Sequence, residues 1–246
     1  MKPLVVLAAL ALLVPRPAAA AVKVVSSIPT LGSLAKEVGG DRIDVESLAK
    51  GYQDPHFVEP KPSLMLVLNR ADVLLYVGLE LEIGWLPPLV LGSRNAKIQL
   101  GEPGNLDCSR AIPVLDIPTT KVDRSMGDIH PLGNPHYWLP PSNAKIIARE
   151  IAQRLSQIDP SGAATYQKNL ATFNDKVDAA AKKWQPMVDK MRGVKVVTYH
   201  NGSQWKRSDI SSPSQAFRPT RTISSASSRR CARNTCSCCS SRTSTT

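Results

Sequence analysis

Residues 61–78 read KPSLMLVLNRADVLLYVG, and this stretch decides the fold. The segment 61–69 has the pattern of a helix, and 72–77 is an apolar strand that runs into Gly78. Working backwards, 22–26 reads as a buried strand. Pro29 then opens a helix with Leu31, Leu34, Ala35 and Val38 on one face and Gly39-Gly40 as its stop, and 44–48 forms a second strand. Strands alternating with helices predict an α/β lobe with a mainly parallel sheet. Working forwards, Ser142 or Asn143 is expected to cap a helix carrying Ile146, Ile147, Ile151 and Leu155, ending near Asp159-Pro160. From Ser161 a longer helical pattern carries Tyr166, Leu170, Phe173, Val177, Ala180, Trp184, Val188 and Met191 at spacings of three and four. Pro186 should bend or interrupt it, because proline lacks one backbone donor. Gly193 ends that helix, and 194–198 begins another strand.

The two ends of the chain differ from its body. Met1-Lys2, an apolar run over 4–14 and Ala18-Ala19-Ala20 have the layout of a secretory signal peptide, so residues 1–20 are expected to be cleaved on export. No cysteine lies near the expected cut, which predicts a free periplasmic protein rather than a lipid-anchored one. The net charge is +11, but residues 207–246 contribute +6 of it, through seven arginines and one aspartate, leaving +5 for the first 206. That segment has one aromatic (Phe217), no lysine and no helical periodicity, so its charge does not predict a nucleic-acid partner. Four of the five cysteines (Cys231, Cys236, Cys238, Cys239) crowd there without the paired spacing of a zinc knuckle. With no Leu or Val, the segment lacks the apolar surface to offset its ordering entropy.

The chain has four histidines: His56, His130, His136 and His200. Each sits at the edge of an expected element: His56 in Gln53-Asp54-Pro55-His56, His136 in Gly133-Asn134-Pro135-His136-Tyr137-Trp138-Leu139, and His200 after Val196-Val197-Thr198-Tyr199. Neutral imidazoles on loops at strand ends are good zinc donors and can converge in a cleft. Spacing alone favours ordinary surface or supporting histidines over a metal site, because no His-x-x-x-His motif is present.

The surrounding residues carry a resemblance. Asp54-Pro55-His56, Pro62-Ser63, the run from Ala71 to Glu82, His130-Pro131-Leu132-Gly133-Asn134-Pro135-His136-Tyr137-Trp138-Leu139 and Tyr199-His200-Asn201 stand in the order found in metal-specific solute-binding proteins. The sequence thus resembles the periplasmic zinc/manganese-binding proteins of metal ABC importers (the cluster A-I solute-binding family) over about residues 22–206. The resemblance implies two α/β lobes joined by a long helix, with a metal ion between them. It divides the chain into a signal (1–20), a metal-binding lobe (21–160), a linking helix (161–192) and the first strand of a second lobe (193–206). It makes His56, His136 and His200 the metal ligands, with His130 as an auxiliary or supporting group. The implied cargo is Zn2+, with Mn2+ the alternative, and histidine at the third position resembles the zinc-handling members. The implied partners are an inner-membrane ABC permease and its ATPase, with the binding protein a monomer and not an enzyme. Pro140 stands where the family usually has an aspartate.

The family's second lobe would supply a fourth ligand, an aspartate, where this chain has residues 207–246. Read one base out of frame, codons for 211–219 permit Glu-Pro-Lys-Pro-Gly-Ile-Pro-Pro, and those for 230–246 permit a second-lobe motif with aspartate at the Ser244/Thr245 junction. The expectation is a frameshift between about Lys206 and Ser211 that leaves the second lobe largely missing. Two other classes stay open: a zinc hydrolase, for which no histidine motif carries a protease-type glutamate, and a metal-binding adhesin. Tyr137, Trp138 and Trp184 are expected to pack, Glu80 and Glu82 to sit near the cleft or as solvated helix-end charges, and Cys108 to be an isolated small residue.

Overall fold

The computed structural model describes residues 20–120, 122 and 130–191. The expected signal peptide (1–19 of it), His200, the strand over 194–198 and the segment 207–246 lie outside the described residues.

Four parallel strands form one sheet: β1 (Val22–Ser26), β2 (Ile43–Ser47), β3 (Val73–Tyr76) and β4 (Asn105–Asp107), in the order β2-β1-β3-β4. Val24 pairs with both Val45 and Val73, and Leu75 pairs with Leu106, so β1 and β3 are the central strands. Val24 and Val25 of β1 and Leu74 and Leu75 of β3 are buried, so both faces are covered there, as in parallel strands flanked by helices, while Lys23 stays exposed. The chain steps from β1 outward to β2 and then back across to β3. That reversal opens a crevice at the carboxyl ends of β1 and β3, where ligands of open α/β sheets bind.

The helices are α1 (Pro29–Gly39), α2 (Pro62–Asn69), α3 (Leu86–Gly92), α4 (Pro141–Ile158) and α5 (Ala163–Lys190). The first four each start with proline in the first turn, where its missing N–H costs nothing. For α4 this corrects the expected cap. Pro140 is the N-cap and Ser142 and Asn143 lie inside the first turn; the Asn143 amide donates instead to the Tyr137 carbonyl at 2.9 Å. Helix α1 buries Leu31, Leu34, Ala35 and Val38, the predicted face. Gly32 on that face permits close approach to the sheet: a Cβ there would lie 2.7 Å from Ser47 Oγ and 2.8 Å from Ser26 Oγ. Helix α3 and strand β4 carry no clear sequence signal. Pro87-Pro88 reads as a loop, and β4 is three residues held by pairing to β3 and by Tyr76 Oη donating to Asn105 Oδ1 at 3.1 Å.

Helix α5 packs on α1 and α4 through Tyr166, Leu170 and Phe173, then leaves the lobe. Trp184, Met187 and Met191 are 42%, 57% and 56% exposed, so the expectation that Trp184 packs is not met among the described residues. Nor does Pro186 interrupt the helix, which continues to Lys190. The proline removes its own ladder bond, and the helix continues past it. Among the described residues no helix is long and apolar enough to cross a membrane.

One polar cluster clamps the start of β2 to the α4–α5 corner. Arg42 Nε and Nη2 donate to Asp159 Oδ2 at 2.9 and 2.8 Å, Tyr166 Oη donates to the same oxygen at 2.7 Å, and Ser161 Oγ donates to Asp159 Oδ1 at 2.6 Å. Burial pushes the Asp159 carboxyl up, but these donors outweigh it and hold it at about 2. A carboxylate whose pKa falls on folding stabilises the fold above its unfolded value and loses that contribution as pH drops through the folded one. Asp159→Asn is therefore expected to cost about 1 kcal/mol at pH 7, after discounting for water around the guanidinium, and much less near pH 2. Urea melts of both proteins across that range check it, and a pH-independent difference would contradict it.

Candidate metal-binding site

Three of the four histidines meet at the carboxyl edge of the sheet. The ring centroids of His56 and His130 are 5.2 Å apart, those of His56 and His136 5.5 Å, and those of His130 and His136 6.5 Å. His56 Nε2 and His130 Nε2 are 3.2 Å apart. Among the described residues no group of three or more His, Cys, Asp or Glu side chains is placed, as it stands, to hold a metal ion.

His56 and His136 are held by the same device. In Asp54-Pro55-His56, Asp54 Oδ1 accepts both the backbone N–H of His56 at 2.9 Å and its Nδ1–H at 2.7 Å. In Asn134-Pro135-His136, Asn134 Oδ1 accepts the backbone N–H and Nδ1–H of His136, each at 3.0 Å. A carboxylate and an amide oxygen only accept, so the proton sits on Nδ1 and the Nε2 lone pair is presented. The amide of Asn134 cannot turn over without loss, because its Nδ2 donates to Asp116 Oδ2 at 3.2 Å. Side chains two residues before each histidine thus set ring orientation and tautomer. The repeat Asp-Pro-His and Asn-Pro-His was visible in the sequence, whereas Asp116, 18 residues before Asn134, gave no sign of its role.

Both histidine loops are tied to one corner, the turn after β3. Trp85 Nε1 donates to the Pro55 carbonyl at 2.8 Å, and Tyr137 Oη donates to the Val77 carbonyl at 2.6 Å. Burial pushes the Tyr137 phenol far up, so it stays a neutral donor. The turn itself is unusual: Gly78, Leu79 and Glu80 all have positive φ (77°, 51° and 65°). Two consecutive non-glycine residues in that region are strained by about 1–3 kcal/mol each. Glu82 holds the turn, with Oε1 accepting from Ser27 Oγ at 2.6 Å and Val77 N–H at 2.8 Å, and Oε2 accepting from Gly78 N–H at 3.1 Å. Glu82 is buried, which corrects the expectation of a solvated helix-end charge. Burial pushes its carboxyl up, and the three donors only partly offset this.

Trp138 lies half-buried with its ring centroid 5.4 Å from that of His136. Cys108 is free and buried, its thiol pushed up by burial and so unreactive.

A manganese ABC transporter substrate-binding lipoprotein, PsaA of Streptococcus mitis, is 33% identical over 164 residues, covering 65% of this chain and 50% of its own length. The chain therefore spans about half the length of the curated relatives it matches. A crystal structure of ZnuA superposes with a TM-score of 0.62 at 28% identity, covering 75% of this chain and 67% of that one. A ZnuA deletion mutant with zinc bound superposes with the same TM-score at 27% identity and the same coverage. The curated relatives this chain matches are named as ABC transporter substrate-binding lipoproteins. The family model for the periplasmic component A of the zinc-uptake complex matches residues 24–233, continuing past the lobe into the Ser/Arg-rich segment. With most of its length matched by that model, the chain belongs to the periplasmic zinc-uptake component A family of metal-importer binding proteins.

Proposed function

We propose that this chain is the metal-capturing component of an ABC importer, acting outside the inner membrane and delivering zinc to a permease driven by a separate ATPase. The observation that carries the reading is the pair of matched turns that lock Nδ1–H of His56 and His136 and present both Nε2 lone pairs to one space. Neutral imidazole suits zinc better than manganese, which favours oxygen donors, so zinc is the proposed cargo even though a similar protein is named for manganese. In this reading His56 and His136 hold the ion on the lobe and His200 reaches it from beyond α5, the helix that links the two parts. A cleavable leader over 1–20, export to the periplasm and a monomeric state belong to the same proposal. So does a second lobe encoded out of frame beyond residue 206, which sequencing the gene across codons 205–212 checks.

Zinc titration against a competing chelator tests the site. His56→Ala and His136→Ala are each expected to weaken zinc binding by at least about 10-fold, since even the groups supporting a ligand are worth that much. Saturating zinc should raise the melting temperature of the parent chain, by linkage, and raise it less in either variant. Unchanged affinity in His136→Ala would overturn the assignment.

A further inference from the structure

The reading above uses two histidines of the lobe and leaves His130 aside. We propose that His130 is a third imidazole ligand, so that the lobe alone carries a three-nitrogen site for a zinc-like divalent ion and captures it before any group beyond residue 191 takes part. This inference rests on the metal-capture reading and extends it.

Two imidazoles bound through Nε2 to one tetrahedral zinc place their nitrogens about 3.3 Å apart and their ring centroids about 5 Å apart. His56 and His130 match both, with Nε2 atoms 3.2 Å and centroids 5.2 Å apart. His56 and His136 match the second, at 5.5 Å. The one long edge is His130 to His136, at 6.5 Å, and closing it needs a shift of about 1 Å, within reach of small χ rotations. That long edge leaves the triangle too open to hold an ion as it stands, in keeping with the lack of any such set of three among the described residues.

The backbone explains why His130 stands there. Gly133 N–H donates to the His130 carbonyl at 3.1 Å, folding His130-Pro131-Leu132-Gly133 into a tight turn. Gly133 has φ +104°, and a Cβ on it would lie 2.3 Å from Val114 Cγ1 and 2.9 Å from the Leu115 carbonyl. The next residue, Asn134, donates its N–H to that same carbonyl at 2.9 Å. Only glycine allows the loop this close to residues 114–115, and the turn brings His130 back over His56 beside His136. The Nδ1–H of His56 is committed to Asp54, so its Nε2 lone pair accepts from His130 Nε2–H, a shared proton whose place a divalent ion would take.

The test uses the full 246-residue chain carrying His200→Ala, which removes the other candidate imidazole. Zinc X-ray absorption should then count three imidazoles, and adding His130→Ala should lower the count to two and weaken zinc binding at least 10-fold. His130→Asn serves as the second variant, and circular dichroism confirms that each remains folded. An unchanged imidazole count and affinity on losing His130, with both falling on losing His56, would overturn this inference alone. Unchanged zinc binding in both His56→Ala and His136→Ala would overturn the metal-capture reading with it.

Discussion

Replacing Glu82 with alanine is expected to destabilise the lobe by about 3–5 kcal/mol, a large share of what a domain of this size has to lose. The change leaves the Ser27 hydroxyl and the Val77 and Gly78 N–H groups without their acceptor in a buried corner, each orphan costing about 1–3 kcal/mol. It also releases the turn at Gly78, Leu79 and Glu80, whose positive φ values persist only while the surroundings impose them. Glu82→Gln should cost less, because one oxygen remains, but its amide nitrogen would face the Gly78 N–H. The pH dependence has a definite sign. Burial holds this carboxyl above its unfolded pKa, so its contribution is fully present below that value and is lost as pH rises through the folded one. The stability gap between parent and Glu82→Ala should therefore be wider at pH 5 than at pH 8. Urea unfolding at the two values measures it, and a gap below about 1 kcal/mol at both would show that water or a backbone shift replaces the carboxylate.

The second large effect is expected at Trp85, which couples fold to site. Trp85→Ala removes one of the largest fully buried side chains and should cost about 3–5 kcal/mol. Trp85→Phe is the sharper variant. It keeps most of the packing but deletes the indole N–H that holds the Pro55 carbonyl, one residue before His56. A stability loss of about 1 kcal/mol should come with a fall in zinc affinity of about 10-fold, since the loop that aims His56 is no longer pinned. Thermal melts and zinc titrations on the same preparation separate the two effects. Zinc binding equal to the parent's in a folded Trp85→Phe chain would show that Asp54 alone positions the ring.

Glu82 and Trp85 also show where reading the residues in order reaches its limit. The apolar runs at 22–26 and 72–77 and the face of Leu31, Leu34, Ala35 and Val38 announce strands and a helix, because burying an apolar stripe forces a period on the chain. Helix α3 and strand β4 escape such a reading because α3 begins with adjacent prolines and β4 exists only by pairing with β3. The family motifs carried His56 and His136 for the same local reason. Each ring is oriented by a side chain two residues away, so ring and support are written together.

By itself, then, the sequence determined the alternating α/β lobe, the long helix after it and two histidines in matched turns, all of which follow from contacts within a few residues. Only the tertiary structure decided the order of the sheet, the burial of Glu82 under a left-handed turn, the tie from Trp85 to the His56 loop, and the approach of His130 to His56 across 74 positions. Those depend on groups far apart in the chain finding one another. A hydrogen bond or a metal-sized gap between distant residues leaves no period, cap or spacing from which it could be read.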